Sequence, residues 1–199
     1  MRSLSIETFK RRETIPATNE QLWRIETGMV RTLTWDDQGN IFVLGFWGDD
    51  DVVGQPLSRS EPYRIECLSP VTAYPLSPHY QCHHDMLVAY LHRTKQLLQI
   101  AQIKSVQQRL LCLLEYLVKQ FGQETERGGL LNFYLTHQDI ADVTSSSRVT
   151  ITRLMGELHR QGTICWQRNR SLLVCPGVIR SSSMSSCLST YTGKSLRDL

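Results

Sequence analysis

No stretch of this chain is apolar for long enough to cross a membrane. The longest apolar run, Ile41–Trp47, is far short of the roughly 20 residues that a spanning helix needs. The opening Met-Arg-Ser-Leu-Ser-Ile-Glu has no apolar core of signal-peptide length, which predicts a cytoplasmic chain. No Cys-x-x-Cys pair occurs among Cys67, Cys82, Cys112, Cys165, Cys175 and Cys187. That spacing argues against a disulfide framework and for small buried hydrophobes in a reducing compartment. The most metal-like run, Cys82-His83-His84-Asp85, would need a further ligand such as Cys112 and reads better as a solvated loop. No nucleophile, base and orienting group fall together, so the chain is read as neither an enzyme nor a cofactor carrier. A dominant charge of one sign is missing too, the formal net charge being only +3.

What is present is a separation of charge along the chain. Residues 1–79 carry 8 Lys/Arg against 11 Asp/Glu, a net of −3. Between Val143 and Arg170 stand Arg148, Arg153, Arg160, Arg168 and Arg170 against Glu157 alone, a net of +4. A local basic patch on a near-neutral chain concentrates positive potential where a polyanion can use it.

Hydrophobic period divides the chain as well. Leu22–Glu26, Met29–Trp35, Ile41–Phe46, Tyr63–Leu68 and Val71–Leu76 are short runs rich in branched and aromatic residues, separated by turn signals such as Thr27-Gly28 and Asp36–Asn40. They predict a small antiparallel barrel or roll over residues 1–82. From about His84 the period lengthens. Leu87, Leu91, Thr94, Leu98 and Ala101 recur in alternating steps of four and three, a heptad seam over 83–104 that invites a partner helix. Packing on the roll is the competing role for this helix. Ser105–Phe121 is a second amphipathic helix with Leu110, Leu113, Leu114, Leu117 and Val118 inward. Gln123–Gly129 reads as a polar connector, and Arg180–Leu199, rich in Ser and Thr, as a flexible tail from about residue 181.

The segment Leu135–Ile164 carries the functional signal. Thr136 begins a helix as its cap, with Asp139 as an acidic capping-box partner. Thr144-Ser145-Ser146 forms a break, and Ser147 caps a second helix, Arg148–His159, whose inner face is Ile151, Leu154, Met155 and Leu158. Arg148, Val149, Thr152 and Arg153 then fall on the opposite face near its N-terminus. Two helices so joined make a helix-turn-helix that offers those residues to the major groove. Ile164–Trp166 and Leu172–Val174 flank Gln167-Arg168-Asn169-Arg170, a hairpin wing with a cationic tip. The fold class expected is α+β: an N-terminal antiparallel roll, a long helix, and a winged helix-turn-helix over 105–180.

HQDIADVTSSSRVTITRLMGELHRQGTI resembles the DNA-binding motif of the bacterial Crp/Fnr transcription regulators, and SRVTITRL is similar to their cyanobacterial nitrogen-control branch. LWRIETGMV and the later Gly48-Asp49…Val53-Gly54-Gln55 resemble the family's roll in the same order, so the likeness spans about residues 10–180. It implies that Arg148 and Arg153 read bases, since a guanidinium fork matches O6 and N7 of guanine. Val149 stands where the family's catabolite activator has glutamate, and favours a thymine methyl. Thr136, His137, Gln138, Ser147 and Thr150, with Arg168 and Arg170 in the wing, match phosphate-contacting positions. The partners implied are double-stranded DNA, a second copy of the chain and RNA polymerase, and the half-sites implied are of the form GTA…TAC.

Three departures stand out. Ser145 replaces the usual turn glycine, which predicts a strained left-handed residue. Glu61 occupies the place where cyclic-nucleotide-binding members carry a phosphate-gripping arginine, and Arg59-Ser60 stands at the wrong spacing. A carboxylate repels phosphate, so a cyclic nucleotide is not expected and no other effector is indicated. The first cysteine is Cys67, so the N-terminal cluster of the iron–sulfur members is missing. The main alternative to a DNA-reading dimer is a ligand- or redox-sensing interaction module whose helix-turn-helix no longer reads DNA.

Overall fold

The computed structural model describes residues 6–77, 79–167 and 171–175. Alternating side chains build two four-stranded antiparallel sheets in the first half. One has the order β1 (Glu7–Phe9), β8 (Val71–Pro75), β3 (Trp23–Thr27), β6 (Val52–Val53); the other runs β2 (Thr14–Ile15), β7 (Arg64–Cys67), β4 (Val30–Trp35), β5 (Ile41–Trp47). Both sheets contribute to one core that includes Ile15, Trp23, Ile25, Trp47, Ile65 and Ala73. Arg64–Cys67 alternates exposed and buried as its sequence predicts. Turn and bulge positions hold the roll together. Gly28 adopts φ +102, and a Cβ there would lie 2.3 Å from the Pro70 carbonyl oxygen. Gly45 follows a register shift in β5 and leaves room for the Trp47 indole, whose Nε1–H donates to Thr32 Oγ1 at 3.0 Å.

Four short elements escape the sequence pattern: β1, β2, β6 and the one-turn helix α1 (Gln55–Ser58). Two or three residues carry too little periodicity to read, and only pairing with β8, β7 and β3 makes these segments strands. The predicted connector at 123–129 is corrected in the same way. It forms a hairpin of β9 (Gln123–Thr125) and β10 (Gly128–Leu131). Gly128, at φ +130, passes close to the Val174 carbonyl, and Gly129 leaves space for the Val118 side chain, so glycine here allows close packing instead of flexibility.

The heptad segment is α2 (His84–Ala101), and its two faces do different things. Tyr90 stacks on Trp47 with ring centroids 4.5 Å apart. Arg93 pairs with Asp51 and lies over Trp47 and Phe121, while Leu97 and Ile100 are buried. That face packs on the chain's own roll. The predicted seam is the other face: Leu91 is 68% exposed, Leu98 61%, and Leu87 and Ala101 are exposed as well. Thr94 is half-buried and donates to the Tyr90 carbonyl at 3.0 Å. Both uses of the helix foreseen from sequence are therefore available, on separate faces.

Ser105 caps α3 (Val106–Phe121) by accepting from the Gln108 N–H, and the stripe Leu110, Leu113, Leu114, Leu117 and Val118 is buried. Packed against it are α4 (His137–Val143), α5 (Arg148–Arg160) and a sheet in the order β11 (Ile164–Trp166), β12 (Leu172–Val174), β10, β9. Cys67 and Cys112 are buried, and burial pushes their thiols up to about 12 and about 11. Cys82, Cys165 and Cys175 are only half-buried, which corrects the expectation of uniformly buried cysteines; Cys165 points away from the face that buries Ile164. The Cys82–Asp85 run is a largely exposed lead into α2, with Asp85 in its first turn. No helix among the described residues is long and apolar enough to cross a membrane.

Candidate nucleic-acid interface

Two caps and a turn set the geometry of the α4–α5 pair. Thr136 Oγ1 accepts from the Asp139 N–H at 3.1 Å, and Asp139 Oδ2 accepts from the Thr136 N–H at 2.7 Å, completing the predicted capping box. Ser147 Oγ accepts from the Thr150 N–H at 3.1 Å and so starts α5. Between them Thr144 is fully buried and its hydroxyl donates to the Ile140 carbonyl at 2.7 Å. Arg109 of α3 donates to the Thr144 and Ile103 carbonyls, tying the turn to the start of the same unit. Ser145 adopts φ 45, the left-handed conformation expected of it.

On α5, Ile151, Leu154, Met155 and Leu158 are buried, and Arg148, Val149, Thr152 and Arg153 form an exposed face. Val149 is 79% exposed. Arg153 is anchored along the helix by Glu157 at 2.5 Å, a partner four residues on that can release it. Thr152 is less free than its exposure suggests. Its hydroxyl donates to the Arg148 carbonyl at 2.8 Å and lies 2.9 Å from His137 Nδ1. With the hydroxyl proton committed, Nδ1 must carry the donated hydrogen, which leaves Nε2 as the unprotonated nitrogen of the neutral ring. Burial, then the charge of Arg148, lowers the His137 pKa, so the ring is neutral near pH 7. Gln138 is exposed, whereas Thr136 and Thr150 are half-buried. The wing strands pair as predicted, Ile164 with Val174 and Trp166 with Leu172, and the Gln167 N–H closes on the Ser171 carbonyl at 2.9 Å. Arg168 and Arg170, like residues 181–199, lie outside the described residues.

One cluster had no sequence signature. Arg12 reaches both oxygens of Asp139, Nη1 to Oδ1 at 2.9 Å and Nη2 to Oδ2 at 2.7 Å, and also Glu66 at 2.7 Å. Arg31 Nη2 meets Asp139 Oδ1 at 3.2 Å and Glu66 Oε2 at 2.7 Å, while its Nη1 meets Asp142 at 3.1 Å. Asp139 is 1% exposed and Arg31 5%. Burial raises the Asp139 pKa, but the Arg12 hydrogen bond, the Arg31 charge and the Thr136 bonds together hold it below the ordinary carboxylate value. The partners stand 35 to 127 residues apart, a separation at which no local pattern can pair them.

Comparison with known proteins places these features in context. Residues 108–175 match the model of the Crp-like helix-turn-helix domain. Over 167 residues the chain is 38% identical to the regulatory protein CysR of Synechococcus elongatus, covering 82% of this chain and 81% of that protein. The global nitrogen regulator of the same organism is 30% identical over 84 residues, 42% of this chain and 38% of the regulator. Among solved structures, a CRP-family transcriptional regulator from Thermus thermophilus superposes with a TM-score of 0.70 at 23% identity. That match covers 85% of this chain and 91% of the other.

The turn carries a stability prediction. A non-glycine residue in the left-handed region costs about 1–2 kcal/mol, and Ser145 is exposed with φ 45. Ser145→Gly is expected to stabilise the protein by about 1 kcal/mol, less glycine's own unfolded-state entropy, in urea unfolding followed by circular dichroism. An unchanged or lower midpoint contradicts the assignment of strain to this residue.

Proposed function

The chain belongs to the Crp/Fnr family of transcription regulators, and from that premise we propose that it binds a palindromic operator as a homodimer, α5 entering the major groove. It is a helix-turn-helix regulator and not an enzyme. The observation that carries the proposal is the exposed face at the start of α5. Arg148 and Arg153 are exposed there beside the outward Val149, on a helix whose inner side is fully used in packing. A guanidinium fork there donates two bonds to a guanine edge, and valine offers only a methyl contact, suited to thymine. Thr136, His137, Gln138, Ser147 and Thr150 at the two helix starts, with Arg168 and Arg170 in the wing, are assigned to phosphates. A non-reading interaction module is not favoured, since such a module has no need to keep Arg148 and Arg153 exposed together on that face.

The dimer is assigned to the outer face of α2, through Leu87, Leu91, Thr94, Leu98 and Ala101. The heptad spacing and the exposure of the leucines support it. In this reading residues 1–82 form the roll, 83–104 the dimer helix and 105–180 the DNA-binding unit, in a cytoplasmic protein that also meets RNA polymerase. Cyclic nucleotide is not assigned to the roll. Trp47 is buried in its core with Tyr63 and Tyr90 packed against it, and the cleft of about 330 Å3 bounded by Gln55, Arg59 and Glu61 carries a carboxylate beside its one arginine.

Three outcomes test this reading. Replacing Leu91 and Leu98 with glutamate should give monomers in sedimentation and abolish tight DNA binding; a dimer that survives both changes refutes the assigned face. Selection from random duplexes should recover an inverted repeat with half-site centres about 34 Å apart. Arg148→Ala and Arg153→Ala should each cost about 1–3 kcal/mol and relax preference at one base pair. A non-palindromic site, or guanine preference intact in both variants, is inconsistent with the readout.

Acidity supplies a further outcome. Phosphate beside His137 favours the protonated ring, so the bound pKa exceeds the depressed free one. Affinity then rises as pH falls through the bound value and levels off only below the free value, itself under the ordinary value of about 6.5. His137→Gln should remove that component of the pH profile; an identical profile in the variant dissociates His137 from the phosphate.

A further inference from the structure

We propose that Arg12 and Arg31 are positioning residues for operator binding, setting from the roll the angle at which α4 and α5 are presented and hence the half-site spacing the dimer accepts. The inference rests on the operator reading above and deepens it. Both arginines stand on fixed backbone. Arg31 lies within β4, paired to Phe46 on one side and Glu66 on the other. Arg12 is held left-handed at φ 73, with its N–H bonded to the Cys67 carbonyl at 2.8 Å. Their common target, Asp139, is in the first turn of α4, where its carboxylate also closes the capping box on Thr136.

The grip is directional as well as attractive. Arg12 holds Asp139 through two nearly parallel N–H···O contacts, a geometry that fixes orientation in a way a point charge does not. Arg31 adds a second hold one turn further along α4, at Asp142, which Gln138 steadies at 2.7 Å. Two anchor points on one helix define its direction as well as its position. Asp139 and Arg31 are buried, so salt screens the junction little. The residues just before Asp139, Thr136 to Gln138, are among those assigned to phosphate. Any tilt of α4 is transmitted to α5 through the His137–Thr152 contact and the shared core. In a symmetric dimer each recognition helix is then placed by its own roll, and the roll by the α2 pairing, so an error in the junction becomes an error in spacing between half-sites.

The experiment uses the full-length protein and the palindrome recovered by selection, with variants of it carrying one or two base pairs more or fewer between half-sites, and a single half-site duplex. Fluorescence anisotropy compares wild type with Arg12→Gln, Arg12→Lys, Arg31→Lys, Asp139→Asn and the double variant Arg12→Gln/Asp139→Asn. The parent palindrome should lose about tenfold in affinity in Arg12→Gln and in Asp139→Asn, within the range of ordinary site-to-site coupling. Discrimination between parent and respaced duplexes should flatten, while Arg12→Gln binds the single half-site as wild type does. The double variant should be no worse than the weaker single, because one loss already opens the grip. Arg12→Lys keeps the charge but not the fork, acts at a site about one-third exposed, and serves where the buried variants fail to fold. Equal weakening on every spacing, or losses that multiply in the double variant, overturns the proposal and leaves the arginines a general stabilising role. A wild type that selects no palindrome overturns the operator reading itself, a result distinguishable from an unchanged spacing profile on a selected palindrome.

Discussion

The carboxylate of Asp139 joins the roll to the helix-turn-helix through buried charge. One of its oxygens closes the N-terminal turn of α4, and both accept from arginines that belong to the roll. A buried carboxylate is costly unless its lone pairs are all engaged, and here Thr136, Arg12 and Arg31 engage them. The same three contacts hold the residue charged, as the direction of its pKa states. Glu66 and Asp142 complete the network by occupying the remaining faces of the two guanidiniums. The network thus constrains the roll and the helix-turn-helix as one arrangement, with Arg31 and Asp139 each buried among partners of opposite charge.

Around that junction the remaining contacts divide by kind. Aromatic and cation–π packing of Trp47, Tyr90, Arg93 and Phe121 fastens α2 to the roll and to the end of α3. Arg11 lies over Tyr134 and donates to its carbonyl at 3.3 Å, running beside the Arg12 grip. Arg109 closes the α2–α3 connection against the turn of the helix-turn-helix. Polar and aromatic contacts of this sort specify geometry more narrowly than an aliphatic interface of equal area, because each has a preferred direction. They leave the outer faces of α2 and α5 uncommitted. Those faces hold Leu87, Val88, Leu91, Leu98 and Val149, five of the large apolar side chains that remain exposed.

Local chemistry was legible wherever a single helix or strand pair contained its own cause. Thr136 with Asp139, Ser147 before Arg148, and Ser145 in place of glycine could be read because caps and turns are made by residues within four positions of one another. The long strands and all three long helices could be read because their burial repeats at a period the chain displays. β1, β2 and β6 were not, since two or three residues hold no period, and β9–β10 was hidden by glycines whose purpose is to admit Val174 and Val118 from elsewhere.

By itself the sequence determined the order of roll, long helix and winged helix-turn-helix, the exposed face of α5, and the heptad spacing of α2, because each follows from spacing along one element. Only the tertiary structure decided which face of α2 the roll covers, that Thr152 and His137 share a hydrogen bond, and that Arg12, Arg31 and Glu66 converge on Asp139 and Asp142. The reason is range. Periodicity and capping act over a turn or two, whereas a buried ion network is selected by desolvation, and that cost exists only after distant segments have excluded water together.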